Sequence, residues 1–191
     1  GRLFGKQIEA LSGKIVEYRK PDIAVVVNPW TESVALQVNP LFVAGRYRKL
    51  VRDLPQSKWF CSSCRGRGCE KCGGTGKLYP ESVEEIVSKP LVEAAEGEKS
   101  AFHASGREDI DARMLGTGRP FVVEISKPKK RSIDLTRILE AIDATGSGKV
   151  QVSRLRFTNR DVVRRLKKAE SAQKEYRVLV EFERDVSAAE L

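Results

Sequence analysis

No long apolar run occurs in this sequence. The longest, Ile23-Ala-Val-Val-Val27, is far short of the roughly 20 residues that a helix needs to cross a bilayer. No stretch of the sequence is thus a candidate membrane-spanning helix, and nothing at the start of the chain resembles a secretory signal peptide. Histidine occurs once, as His103. A lone histidine is more often a packed or surface residue than a catalytic one, so His103 is assigned no role. Cysteine is absent outside the short stretch Cys61 to Cys72, which argues against scattered thiols. No methionine opens the chain at Gly1. With 191 residues, one or two domains with a real core are expected.

Positive charge is what the chain has in excess, with a formal net charge of +9. It is unevenly spread. Nine basic residues lie between Arg46 and Lys77 against only Asp53 and Glu70. Lys127-Pro-Lys-Lys-Arg131 is a second cluster, and a third runs from Arg154 to Lys168. Such clustering suits a polyanion such as RNA, because neutralised phosphates release counterions. A solvated basic surface is the alternative. Within Arg46–Trp59, Tyr47 interleaves with Arg46 and Arg48, an arrangement that suits base stacking between phosphate contacts. Trp59 reads better as an anchor to a neighbouring part of the molecule.

Cys61-Ser-Ser-Cys64-Arg-Gly-Arg-Gly68 is followed at once by Cys69-Glu-Lys-Cys72-Gly-Gly-Thr-Gly76. Each is one Cys-x-x-Cys-x-Gly-x-Gly unit. Two thiolates at this spacing converge on one metal, and the glycines permit turns that point amides at sulfur. Cys61, Cys64, Cys69 and Cys72 thus make a closed tetrahedral zinc site, structural because no position is left open. It staples an insert that has little core of its own. Disulfides are the alternative, disfavoured by the spacing and by an intracellular setting.

The stretch with the most chemistry is Ser105-Gly-Arg-Glu-Asp-Ile-Asp-Ala-Arg-Met-Leu-Gly-Thr-Gly-Arg-Pro-Phe121. A loop holding Asp109 between Arg107 and Arg113 reads as a carboxylate kept ionised beside an anionic substrate. Asp111, two residues on, would point the same way in an extended loop. The plainer alternative is a helix start, with Ser105 as cap and Glu108 completing the box.

Spacing predicts a helix over 2–19 with a weak point at Ser12-Gly13, strands at Asp22–Val27 and Ser33–Val38, and a helix over 81–96 kinked or divided at Pro90. A short strand at Ala101–Ala104 leads into the charged stretch. Beyond it, strands are predicted at Phe121–Ile125, Val150–Phe157 and Glu175–Glu183. Helices are predicted at Ile133–Ala144 and from an Asn159 cap to about Ala169. Elements of both kinds give an α+β chain.

Gly106-Arg-Glu-Asp-Ile-Asp-Ala-Arg-Met-Leu-Gly-Thr-Gly-Arg-Pro-Phe121 resembles the catalytic motif of the archaeal Pus-ten family of tRNA pseudouridine synthases. The likeness extends through Asn39–Leu50, Leu54–Trp59 and Ser82–Ile86. It implies an interior piece of such a protein: 1–57 as the end of a THUMP-like RNA-binding domain with linker, 58–79 as the zinc insert, and 80–191 as the first half of a mixed-sheet catalytic core. It implies tRNA as substrate, modified in the TΨC loop at nucleotide positions 54, 55 or both. Asp109 would be the carboxylate acting at C1′, as nucleophile or as proton abstractor. Tyr176 would stack on the base and assist proton transfer at C5. Arg107, Arg113, Arg119, Arg46, Arg48 and Tyr47 would contact the substrate. The basic residue of the family's third motif would lie beyond Leu191. Zinc is expected as a structural ion, with no organic cofactor, no membrane and no obligate protein partner, in the cytoplasm. The alternative is a non-catalytic, zinc-containing RNA-binding module.

Overall fold

The computed structural model describes residues 1–168 and 175–187. In chain order its elements are α1 (Arg2–Ser12), β1 (Ile23–Asn28), β2 (Ser33–Val38), β3 (Leu41–Lys49), α2 (Val83–Ala95), β4 (Lys99–Ala104), β5 (Met114–Ser126), α3 (Leu135–Gly146), β6 (Val150–Thr158) and α4 (Arg160–Lys168). β1 and β2 form an antiparallel hairpin. The other four strands form one sheet in the order β4-β5-β3-β6. Every neighbouring pair in it is antiparallel, so among the described residues the sheet is not the mixed one expected. Helices with antiparallel sheets make the chain α+β, as its sequence indicates.

β3 is the strand on which the rest is built, and it was not foreseen. Along it, Leu41, Val43 and Tyr47 face α2 and α3, where Ile86, Leu91, Ile138 and Ile142 close the main core. Phe42 and Ala44 face the other way, with Val122 and with Val163 of α4. A strand covered on both faces loses the apolar–polar alternation that marks a strand in sequence. Leu41-Phe-Val-Ala-Gly45 is apolar throughout, then turns basic. β3 also lies before the expected boundary at residue 57, while its sheet partners β5 and β6 both lie beyond it.

Several boundaries differ from expectation for local reasons. α1 stops at Ser12 because Gly13 turns left-handed, at φ 63°, and its N–H caps the Glu9 carbonyl. α2 begins at Ser82, whose hydroxyl accepts the Glu85 N–H and donates to the Glu85 carboxylate. Pro90 neither divides nor ends α2. It lies on the buried face beside Val87 and Leu91, where packing outweighs the lost hydrogen bond. β5 starts well before Phe121, because Arg119 and Met114 pair with Tyr47 and Lys49 of β3 across a bulge that takes up the Gly-Thr-Gly run. Asn159 caps α4 as expected, its side chain accepting the Asp161 N–H at 3.0 Å. The predicted helix end near Ala169 lies outside the described residues. Glu175–Glu183 forms no strand, since its backbone meets no pairing partner among the described residues.

Candidate active site and metal centre

β4 and β5 are joined by the charged stretch 105–113, which contains no helix and so does not follow the capping-box alternative. It lies over the end of β3 and is held by a buried polar network. Glu108, the residue before Asp109, turns inward with its side chain only 5% exposed. Its carboxylate accepts the Tyr47 hydroxyl at 2.8 and 2.9 Å and Arg119 Nε at 2.8 Å. Gln56 Nε2 donates to the Tyr47 oxygen at 2.7 Å and to the Gly106 carbonyl at 3.1 Å. Arg119 Nη1 donates to the Ser105 carbonyl at 2.5 Å, and Nη2 reaches Met114 Sδ at 3.6 Å, so one guanidinium ties both ends of the loop. Burial pushes the Tyr47 phenol upward, and the adjacent Glu108 charge adds to this, keeping it a donor.

On the other side of Asp109 stands Lys49, fully buried at the end of β3. Its ammonium donates to the carbonyls of Leu54 at 2.9 Å, Asp109 at 3.0 Å and Ile110 at 3.0 Å. The Asp53 N–H also reaches the Ile110 carbonyl, at 2.9 Å. Burial lowers the Lys49 pKa, opposed by the negative charges of Glu108, Asp111, Asp53 and Asp109. Arg52 Nη1 holds the Asp111 carbonyl at 2.9 Å. Gly118 completes the frame: its φ is +75°, and a Cβ there would stand 2.7 Å from the Tyr47 carbonyl oxygen.

The expected residues separate into two groups. Asp109, Arg107, Asp111 and Arg113 are exposed on the loop. Their side chains form no ion pair with one another, so Arg107 does not clamp Asp109 and Arg113 does not pair with Asp111. The arginine–carboxylate pair of the motif is Arg119 with Glu108 instead. Tyr47 and Arg119 thus belong to the buried frame. Tyr47 has no exposed ring face on which a base could stack. Arg46 is bound to its own sheet, donating from Nε to the Thr117 carbonyl at 2.8 Å and from Nη2 to the Gly118 carbonyl at 2.6 Å. Arg48 donates to Gln151. Tyr176 is 72% exposed in a segment without strand partners, and is not brought to the loop by any hydrogen bond or ring contact. Lys49, Gln56 and Glu108 were missed as site residues. Lys49 had a signal: it continues the in-phase set Leu41, Val43, Tyr47 on an apolar face, where a lysine needs a reason.

Cys61, Cys64, Cys69 and Cys72 bring their sulfurs within 4.8 Å of one another. Three of the edges are 3.9, 3.9 and 3.7 Å. A tetrahedron with Zn–S bonds of about 2.3 Å has edges of about 3.8 Å, so the four thiols fit one metal ion and are compatible with zinc. Backbone amides of Cys69 and Gly76 each donate to Cys72 Sγ at 3.2 Å. The Cys69 backbone hydrogen bond is the main cause that brings Cys72 down to about 6, and Gly76 adds to it. Against the pull of a hydrogen bond from the Cys72 backbone, burial and the neighbouring sulfurs push Cys69 up to about 11. Four thiolates this close repel one another, and a cation removes that conflict. The two knuckles pack backbone against backbone. A Cβ on Gly76 would lie 2.4 Å from the Gly66 carbonyl oxygen. At the base of the insert Phe60 bridges to Lys77, and Trp59 packs edge-on to Tyr79 with centroids 5.5 Å apart. Trp59 therefore anchors the insert's own base.

The basic surface is less uniform than the sequence indicates. In the cluster 127–131, Lys127 pairs with Glu98 at 3.0 Å, Lys130 with Glu96 at 2.7 Å and Arg131 with Asp22 at 2.8 Å. Arg65, Arg67 and Lys71 on the insert, and Arg165, Lys167 and Lys168 on α4, are exposed and form no ion pairs among the described residues.

Residues 42–191 match the family model described as Pus10, C-terminal. The chain is 47% identical over 194 residues to the tRNA pseudouridine synthase Pus10 of Methanothermobacter marburgensis, covering 100% of this chain and 48% of that protein. It is 51% identical over 187 residues to the protein of the same name from Methanocaldococcus jannaschii, covering 97% of this chain and 40% of that one. For the Halorubrum lacusprofundi protein, also so named, identity is 42% over 193 residues, covering 98% and 45%. The chain spans about half the length of the curated relatives it matches.

Proposed function

The chain belongs to the Pus10 family, and from that premise we propose that it forms part of a tRNA pseudouridine synthase that isomerises uridine in the TΨC loop, at nucleotide position 54, 55 or both. The observation that carries this reading is the Asp109 loop. A solvent-facing carboxylate without a side-chain partner sits between two anchored flanks, the buried Glu108 side chain and the carbonyls held by Lys49. A group meant for salt-bridging would be paired, whereas one meant for a substrate is held open and fixed.

In the reaction the N1–C1′ bond breaks, the uracil turns, and a C5–C1′ bond forms. C5 loses a proton and N1 gains one, so no oxidant or group donor is consumed. The uridine leaves its stack to reach the site. Asp109 acts at C1′. Arg107 and Arg113, exposed on either side of it, contact the backbone of the flipped nucleotide as phosphate partners. Tyr176 supplies the stacking ring and assists proton transfer at C5. Its exposure leaves the ring available to a base.

Cys61, Cys64, Cys69 and Cys72 hold zinc. Four thiolate ligands leave the ion no open position, so its contribution is to fold the insert. Residues 1–38, with the helix and the hairpin, form the end of a THUMP-like RNA-binding domain. tRNA modification places the protein in the cytoplasm. Among the described residues no helix is long and apolar enough to cross a membrane.

Asp109→Asn keeps shape and removes the charge. In a protein carrying this chain at the full length of its relatives, it abolishes pseudouridine formation in single turnover while tRNA binds about as tightly. Full activity in Asp109→Asn would falsify the assignment and move the role to Asp111. Loss of binding together with activity would make Asp109 a structural residue of the loop.

A further inference from the structure

We propose that Lys49 is a positioning residue for Asp109, its buried ammonium fixing the backbone from which the reacting carboxylate projects. The inference rests on the reading of Asp109 as the group that acts at C1′.

A lysine ammonium has three N–H donors and no acceptor. Lys49 spends all three on main-chain carbonyls, at 2.9–3.0 Å, and two of these belong to consecutive residues, Asp109 and Ile110. The third belongs to Leu54, in the segment that follows β3. Among the described residues no carboxylate lies within ion-pair distance of the ammonium. Burying a charge without a carboxylate partner is costly, and a structural ion pair was at hand, since Asp109 and Asp111 belong to the same loop. Both carboxylates instead point to solvent. The cation therefore attracts the backbone of Asp109 and leaves its side chain free.

The loop around this contact is constrained on every side. The Ile110 carbonyl accepts from Asp53 as well as from Lys49, and the Ala112 N–H returns to the Asp109 carbonyl at 3.2 Å. One residue earlier, Glu108 is locked inward by Tyr47 and Arg119. The bonds to the Asp109 carbonyl fix the peptide plane that follows its Cα, and the locked Glu108 side chain anchors the residue before it; together these set the direction of the Cα–Cβ bond. Lys49 itself is held at the end of β3, paired with Met114 of β5 and Val150 of β6, so the reference point is an interior strand of the sheet and not a second loop.

The test uses the protein at the full length of its relatives. Lys49→Met keeps the stem and removes the donors. Displacing a reacting group by about 1 Å costs on the order of 100-fold in rate, so the single-turnover rate at saturating tRNA should fall by about that factor, with tRNA affinity within about threefold of wild type. Amides of 110–112 should exchange with deuterium faster, while those of β5 stay protected. A wild-type rate in folded Lys49→Met overturns the proposal, as does a loss confined to tRNA affinity. Where Lys49→Met fails to fold, Lys49→Arg decides. It keeps the charge but cannot place three donors in the same cup, so its rate should fall at least about tenfold at unchanged affinity. A full rate in Lys49→Arg overturns the proposal. Asp109→Asn run alongside separates the two claims: if it is fully active, the reading of Asp109 has failed and Lys49 has nothing to position. If it is inactive while folded Lys49→Met is not, only the Lys49 inference has failed.

Discussion

Three adjacent residues of the motif have three different fates. Arg107 and Asp109 face water, while Glu108 between them is buried against Tyr47 and Arg119. A buried carboxylate persists only when its charge is matched, and here the Nε–H of a guanidinium and a phenol hydroxyl hold it. Removing the cation alone should therefore be severe. Arg119→Met leaves Glu108 charged and 5% exposed, and should destabilise by about 3 kcal/mol, the lower end for breaking a buried pair. Arg119→Met combined with Glu108→Gln should cost much less than the two single changes added together, since neither partner is then stranded. Urea unfolding of the four proteins closes the cycle. Additive losses would mean that Glu108 is held by the Tyr47 hydroxyl and by Gln56 Nε2, which donates to it at 3.3 Å, without the arginine. The motif's residue types were legible from the sequence, but their directions were not. Charge and glycine spacing singled out 105–121, yet in an irregular loop no periodicity says which carboxylate turns inward.

At the scale of the element, legibility followed covering. β2, β6 and α3 were found close to their positions because each carries alternation or a 3.6-residue stripe, while β1 was found as a short apolar run closed by Asn28-Pro29 and β4 as a short run before the charged stretch. β3 was missed because both its faces are buried, and Glu175–Glu183 was read as a strand because its residues suit one although it pairs with nothing among the described residues. The metal insert was the most legible element, since its structure follows from ligand spacing. It has almost no apolar core: Cys61 and Cys64 are its buried residues besides Gly76. Its fold must then come from the ion. Purified protein should contain about one zinc per chain. Chelation should open residues 58–79 to protease while β3 and β5 stay protected, because the insert joins the core through a narrow base of Trp59, Tyr79 and the contacts of Lys58 and Lys77 with Glu85. Metal-free protein with unchanged protease resistance in that segment would remove the structural role.

At the scale of the whole molecule the net charge of +9 resolves into paired and unpaired parts. The cluster around 127–131 is largely neutralised by Glu96, Glu98 and Asp22, and Lys49 is buried. These positions have little charge left for a polyanion. Among the described cations without an ion pair are Arg65, Arg67 and Lys71 on the metal insert and Arg165, Lys167 and Lys168 on α4. Sequence reasoning could locate the basic runs but not their partners, because Asp22 is remote from Arg131 along the chain. Phosphate binding is read by its salt dependence: the slope of log K against log salt becomes shallower by about 0.7–0.9 for each phosphate that is no longer neutralised. If the insert tracks tRNA phosphates, replacing Arg65, Arg67 and Lys71 together by alanine should flatten the slope by about 2. The α4 triple should do the same only if that helix also lies on the tRNA, so the two triples map the footprint separately. Replacing Lys127 and Lys130 should leave the slope unchanged, since their charge is already matched by Glu98 and Glu96. A slope that responds to the 127–130 pair and ignores the insert would put the tRNA on a different part of the surface.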